Sequence, residues 1–174
     1  MTGQRVRQIY SGRVVHLALH EIQLPDGSTA IRELIEHAGA AAVVALDEAN
    51  HVLLVRQFRI GAHQHLYEIP AGILEAGEPP ASCASRELQE EIGYFPGRLD
   101  ALGGFYPTPG YTTEYIHLYL ARDLSPAPLQ QDHDEFIEVT RIPFGEALAM
   151  IERGEIVDSK TIIGLLRVAR RLSL

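Results

Sequence analysis

The stretch of sequence that decides the fold runs over residues 72–94 and reads GILEAGEPPASCASRELQEEIGY. Consecutive prolines suit the N-terminal edge of a helix, and Gly93 suits the position just past its end. The spacing therefore predicts a helix over about residues 80–92. The apolar residues that recur at helical spacing, and are expected to face the core, are Ala81, Ala84, Leu88 and Ile92.

Three glutamates concentrate negative charge on this helix. Glu87 and Glu91 are four residues apart, so their carboxylates share one helix face, with Glu90 alongside. Like charges at this spacing destabilise a bare helix by roughly 0.2–0.5 kcal/mol per pair, and no lysine of the helix offsets them. A hard divalent cation would turn the repulsion into attraction, and Mg²⁺ binds through a few carboxylates together with substrate phosphates. The pattern indicates metal-dependent phosphate chemistry, with a solvated acidic face as the alternative.

The composition excludes several classes of protein. The chain has 174 residues, about one domain's length, and its 46% hydrophobic and 22% charged residues exclude disorder. A single cysteine excludes a disulfide framework and a zinc site built on several thiolates. The net charge of -8 argues against a nucleic-acid or anionic-membrane partner. Since neither a long apolar run nor a signal-peptide pattern is seen, we expect a cytoplasmic protein.

The chain divides into two parts. Residues 1–38 are β-rich, with a turn at 25–27, and read as a small antiparallel meander. Three strands or fewer cannot form a closed hydrophobic core alone. The meander must therefore pack on the body of the protein or on a second copy of the chain. Residues 39–174 form the second part, in which the apolar runs 40–46 and 51–58 predict a hairpin near the centre of a sheet.

Further strands and helices follow the central helix. Strands are expected at residues 100–106, 112–121 and 135–141. Helices are expected at about 143–152 and 159–172, the second capped by Asp158 or Ser159. Strands with helices interspersed, and hairpins among them, predict an α/β (α+β) fold with a mixed sheet.

The 72–94 stretch resembles the Nudix box. It has the glycine at 72, a glutamate at 78, and the run Arg86-Glu87-Leu88-Gln89-Glu90-Glu91-Ile92-Gly93, while Tyr94 stands where an aliphatic residue is usual. The resemblance to the Nudix hydrolase superfamily implies an α/β/α sandwich for residues 39–174. It also implies hydrolysis of a nucleoside diphosphate linked to another moiety, with Mg²⁺ or Mn²⁺ as cofactor.

The same resemblance implies roles for individual residues. Glu87 and Glu91 are expected to be the main metal ligands, and the backbone carbonyl of Ala71 is expected to complete the metal shell. Glu90 and Arg86 are expected to be catalytic: Glu90 supports the ligands, and Arg86, paired with Glu78 of the box, holds the loop on the helix.

Flanking residues are similar to the ADP-ribose pyrophosphatase subgroup. Pro109, sixteen positions after Gly93, resembles the marker of that subgroup, and so do the stretches 55–59 and 67–72. This implies ADP-ribose as substrate, with AMP and ribose 5-phosphate as products, and a homodimer built with the meander. Hydrolysis of another diphosphate (a nucleotide sugar, a dinucleotide or a flavin nucleotide) stays open. A non-catalytic nucleotide sensor is the third alternative, against which the intact glutamates speak.

The remaining expectations concern substrate and base. Arg56 and Arg59 are expected to lie on one face of a strand and to bind the diphosphate through charge-assisted hydrogen bonds, with Arg59 the stronger candidate. The subgroup resemblance adds Glu68 and Pro109 as substrate-binding residues. It also places the general base, or a late metal ligand, at Glu135. Glu138 is the alternative base and a further substrate-binding candidate; both acids could instead be solvated residues at a loop edge.

Overall fold

The computed structural model describes residues 3–130 and 137–172. Its first unit is an antiparallel sheet in the order β1-β2-β3, formed by β1 (Gly3–Ser11), β2 (His16–Gln23) and β3 (Thr29–Glu36). The turn between β2 and β3 contains Gly27 at φ +84°, a backbone conformation that favours glycine. The meander predicted for residues 1–38 is therefore present.

The second unit is a mixed sheet in the order β10-β5-β4-β9-β8, with β6 on β5 and β7 on β4. Only the β4–β9 pair is parallel among these described strands. The β4–β5 hairpin confirms the one predicted from the two apolar runs. The strands are β4 (Ala40–Leu46), β5 (His51–Arg59), β6 (Gln64–Glu68), β7 (Ala71–Ile73), β8 (Tyr94–Phe105), β9 (Ile116–Pro126) and β10 (Glu138–Pro143).

Helices cover both faces of this sheet. They are α1 (Pro80–Glu87), which continues as a π-helical turn (Leu88–Ile92), α2 (Phe144–Glu152) and α3 (Ser159–Leu172). One apolar cluster joins α1 to Val43 of β4, and the other joins α2 and α3 to Val44 of β4. This is the expected α/β/α arrangement, and it explains why β4 is buried along its whole length. No helix in the described ranges is long and apolar enough to span a membrane.

The structure corrects some details of the expected elements. The last turn of the central helix is π-helical, and it ends at Gly93, which has φ +78°. Ala81, expected in the core, is exposed. β8 begins at Tyr94, ahead of the expected start. β9 begins only at Ile116, because the residues before it bond to the N-terminal sheet instead.

That bonding tethers the two units of the chain. The Ile35 amide of β3 donates to the Tyr111 carbonyl at 2.8 Å, and the Thr113 amide donates back to Ile35 at 3.0 Å. The body thus provides part of the packing that the meander needs. Every residue of β1 nevertheless remains exposed. The large apolar side chains left exposed on the N-terminal unit are Val6, Ile9, Tyr10, Val14, Val15 and Ile31.

Candidate active site

A cavity of about 640 Å³ opens between α1, β7, the start of α3 and the N-terminal unit. Most of the residues expected to do chemistry line it. They are Arg59, Ala71, Arg86, Glu87, Glu90 and Glu91. The polar residues that line it but were not singled out from the sequence are Arg13, His37, Glu75, Glu114 and Lys160.

One side of the cavity, which we call the carboxylate wall, consists of Glu87, Glu90 and Glu91. Glu87 is only 7% exposed, and its carboxylate lies against the backbone of Gly72. A Cβ atom at residue 72 would stand 1.8 Å from Glu87 Oε1, so any side chain there would displace the carboxylate. The glycine at the start of the motif is thus explained by the space that Glu87 needs.

Glu91 reaches the same wall from the π-helical turn. It is 3% exposed, and its Oε2 accepts a hydrogen bond from the Ala71 amide at 3.1 Å. The Ala71 backbone therefore lies directly beside the Glu91 carboxylate. Because β7 pairs with the buried strand β4, this backbone is fixed by the core of the sheet.

Arg86 holds the wall together. Its guanidinium donates to Glu87 Oε1 at 2.6 Å and to Glu90 Oε2 at 2.8 Å, and it bonds both oxygens of Glu78 at 3.0 and 3.1 Å. A further bond to the Ile73 carbonyl, at 3.3 Å, ties the loop to the helix. The hydrogen bonds from Arg86 lower the pKa of Glu78 to about 2. The helix therefore carries its own counter-charge in an arginine rather than in a lysine.

The residues of the carboxylate wall fit a hard divalent cation by their chemistry. Glutamate oxygens and a backbone carbonyl are the donors that Mg²⁺ and Mn²⁺ prefer, and the space beside Gly72 admits the carboxylate of Glu87 and little else. Within the described ranges, however, no three acidic, histidine or cysteine side chains are drawn together as a metal-binding group. Glu87 and Glu90 bond Arg86, and Glu91 bonds Ala71. The assignment of these acids as ligands of one divalent ion therefore stays a prediction.

Another part of the cavity lining, which we call the cationic wall, consists of Arg59 and Lys160, whose shared partner Glu68 lies behind them. Arg59 donates from Nε and Nη2 to the two oxygens of Glu68, both at 2.7 Å, and Lys160 bonds the same carboxylate. Burial of Glu68, which is 1% exposed, would raise its pKa, but the bonds from Arg59 and the charge of Lys160 outweigh this and lower it. Glu68 thus stays ionised and holds two cations in place.

Four expected substrate-binding residues do not line the cavity: Arg56, Glu68, Pro109 and Glu138. Glu68 lies behind Arg59, while Pro109 is exposed in the loop that bonds β3. Glu138 bonds Arg56 at 3.4 Å instead. The expected general base, Glu135, lies outside the described residues.

Arg56 and Arg59 do not share a strand face, so that expectation is wrong. Side chains alternate along a strand, and residues three apart point to opposite sides. The Arg56 guanidinium lies 6.0 Å from the Tyr67 ring centroid, whereas Arg59 faces the cavity. Lys160, which lines the cavity and bonds Glu68, was not singled out from the sequence. The sequence feature that could have drawn attention to it is a cation in the first turn of a helix, where the macrodipole disfavours positive charge.

Comparison with known proteins identifies the family. A family model described as the NUDIX domain matches residues 29–163. The chain belongs to this family. The matched range contains both walls of the cavity, and the assignment to the Nudix hydrolases made from residues 72–94 is confirmed.

Curated relatives of this Nudix chain align with most of its length. The ADP-ribose pyrophosphatase of Bacillus subtilis (strain 168) is 40% identical over 156 residues, 88% of this chain and 84% of its own. The methanol dehydrogenase activator of Bacillus methanolicus is 42% identical over 163 residues, 92% of this chain and 88% of its own. A crystal structure of an ADP compounds hydrolase aligns with a TM-score of 0.83 at 21% identity, covering 99% of this chain and 92% of that one. This likeness supports the Nudix fold.

Proposed function

We propose that this Nudix hydrolase cleaves the diphosphate of ADP-ribose to AMP and ribose 5-phosphate, with Mg²⁺ as its cofactor and Mn²⁺ as the alternative. The observation that carries the proposal is a single cavity lined both by Glu87 and Glu91 and by Arg59. A diphosphate held by a divalent cation needs acidic ligands for the ion and a cationic donor for its own oxygens. The 40% identity to an ADP-ribose pyrophosphatase supports the choice of substrate.

The proposed reaction needs residues that hold the ion and residues that position those ligands. Glu87, Glu91 and the Ala71 carbonyl would hold the ion, which when bound neutralises phosphate charge and acidifies a water molecule. Arg86 positions the glutamates through its bonds to Glu87 and Glu90.

Arg59 would bind a diphosphate oxygen through Nη1, because its bonds to Glu68 are made by Nε and Nη2. The proton of the attacking water would pass to Glu135, with Glu138 as the alternative acceptor. Glu68 would act on the substrate through Arg59 rather than by direct contact, since it is almost fully buried.

A substrate panel tests the proposed function. We expect ADP-ribose with Mg²⁺ to give AMP with a higher kcat/KM than a nucleotide sugar, a dinucleotide or a flavin nucleotide. The other diphosphates are included because the chain is slightly more similar to the methanol dehydrogenase activator (42% identity) than to the ADP-ribose pyrophosphatase (40% identity). If any of these compounds is cleaved faster than ADP-ribose, that compound and not ADP-ribose is the preferred substrate. Tight binding of ADP-ribose without turnover would indicate a sensor.

We also propose that residues 1–38 are the dimerisation unit of a cytoplasmic homodimer and that residues 39–174 are the catalytic unit. The support is the exposed apolar surface of the N-terminal sheet, including Val6, Ile9 and Ile31, each about half exposed. Light scattering should give twice the chain mass for the native protein and the single chain mass for Ile9→Arg. A monomeric native protein would contradict the proposal.

A further inference from the structure

The start of α3 is fixed rigidly beside the cavity. Asp158 caps the helix, since its Oδ2 accepts the Thr161 amide at 2.9 Å. The Thr161 hydroxyl in turn accepts the Ile69 amide at 2.9 Å, which joins the helix to the segment leading into β7. Farther along, Gly164 packs so closely on β4 that a Cβ there would stand 2.9 Å from Val44 Cγ2. The position of Lys160, the second residue of α3, is therefore set by the core.

Lys160 lies where a lysine is poorly placed for stability. The first turn of a helix carries partial positive charge, which disfavours a cation. Here two carboxylates compensate, because the ammonium bonds Glu68 and lies 3.1 Å from Asp158 Oδ1. Its side chain is 14% exposed, and that exposed part lines the cavity.

The ammonium has bonding capacity left for a ligand. It carries three N–H donors, and among the described residues it contacts the two carboxylates of Glu68 and Asp158. Glu68 is shared with Arg59, which lines the same cavity. One buried carboxylate thus presents two cations side by side, a match for the two negative charges of a diphosphate diester.

We propose that Lys160 is a substrate-binding residue that donates to a diphosphate oxygen beside Arg59, with Glu68 and Asp158 orienting its ammonium. The inference rests on the proposed function only in that a diphosphate enters this cavity. It assigns to α3 a part in recognition that the motif on α1 does not supply.

Selective labelling gives a direct test, because Lys160 is the only lysine in the sequence. Protein labelled with ¹⁵N at lysine Nζ carries one side-chain reporter. We expect inorganic pyrophosphate and ADP, each with Mg²⁺, to shift the Nζ resonance in a saturable way, whereas ribose 5-phosphate at equal concentration shifts it less. An Nζ resonance that stays unchanged while the same diphosphates bind, as measured by calorimetry, would overturn the proposal. Failure to hydrolyse ADP-ribose would instead defeat the proposed function and leave the diphosphate shift intact.

Kinetics separates recognition from a purely structural role. Losing one charge-assisted bond should raise KM for ADP-ribose about 10- to 100-fold in Lys160→Met, with a smaller change in kcat, and Lys160→Arg should recover part of the loss. The matched control is Arg170→Met, which removes a positive charge from an exposed position on the same helix. The inference fails if Lys160→Met lowers kcat and thermal stability but leaves KM unchanged.

Discussion

The two walls of the cavity solve opposite electrostatic problems in the same way. On the carboxylate wall one arginine, Arg86, is shared by Glu78, Glu87 and Glu90. On the cationic wall one glutamate, Glu68, is shared by Arg59 and Lys160. In each case one opposite charge is shared by several like charges, and Lys160 has a second partner in Asp158. The carboxylate wall keeps a surplus of negative charge. This surplus explains why the carboxylate wall, and not the cationic wall, would bind a metal cation.

The largest effect is expected from removing charge from the carboxylate wall. Glu91→Gln keeps an oxygen that can accept the Ala71 amide, so the fold should survive. Turnover of ADP-ribose should fall by roughly 10²–10³-fold, the scale seen when one group that stabilises transition-state charge is lost. The control is Glu152→Gln, at an exposed position of α2, which should leave the rate unchanged. Equal rates in both variants would remove Glu91 from the chemistry.

A steric change at Gly72 should disturb the carboxylate wall without altering its charge. The Cβ of Gly72→Ala would overlap Glu87 Oε1, so the carboxylate must move. We expect a loss of roughly 1–3 kcal/mol in the free energy of unfolding, together with weaker Mg²⁺ activation. Gly61→Ala is the matched control, because a Cβ there meets nothing within 4 Å. Urea unfolding and a Mg²⁺ titration check both results, and native behaviour of Gly72→Ala would show that Glu87 does not need this space.

The cationic wall should respond to loss of its shared carboxylate. Glu68→Gln leaves Arg59 and Lys160 facing a neutral amide in a buried position, which should cost roughly 1–3 kcal/mol of unfolding free energy and raise KM. The comparison of the two walls predicts a smaller fall in kcat here than in Glu91→Gln. A larger fall in kcat would mean that Glu68 takes part in the chemical step.

The smallest effect concerns pH. Because the pKa of Glu78 is lowered from 4.5 to about 2 in the folded chain, its pairing with Arg86 stabilises the protein fully above pH 4.5. That contribution is lost as the pH falls from 4.5 towards 2. The difference in unfolding free energy between the native protein and Glu78→Gln should therefore be constant from pH 7 to 5 and shrink below pH 4.5. A difference that grows on acidification would contradict the assigned pairing.

Much of the fold could be predicted because its signals are local. The seven buried residues of β4 form an unbroken apolar run. The helix made of α1 and the π-helical turn is marked by prolines at its start and Gly93 at its end. The Nudix motif likewise lies in one continuous stretch. Each of these features depends on neighbours in sequence, whose spacing directly reflects helix or strand geometry.

The remaining features depend on contacts distant in sequence. Lys160 meets Glu68 across 92 positions, and the bond from Thr113 to Ile35 shortens the expected strand β9 at its start. The short strand β7 exists because β4 supplies its partner. The wrong expectation for Arg56 has a simpler origin, since a spacing of three residues does not keep side chains on one strand face.

The central claim is that the carboxylate wall binds a divalent ion against a diphosphate held by the cationic wall. The most direct measurement is anomalous scattering from crystals grown with Mn²⁺ and a non-hydrolysable methylene analogue of ADP-ribose. The account predicts a manganese peak in contact with Glu87 and Glu91 and with the phosphonate oxygens, and Arg59 on the other side of the analogue. Manganese bound away from Glu87 and Glu91 while the analogue occupies the cavity would contradict it.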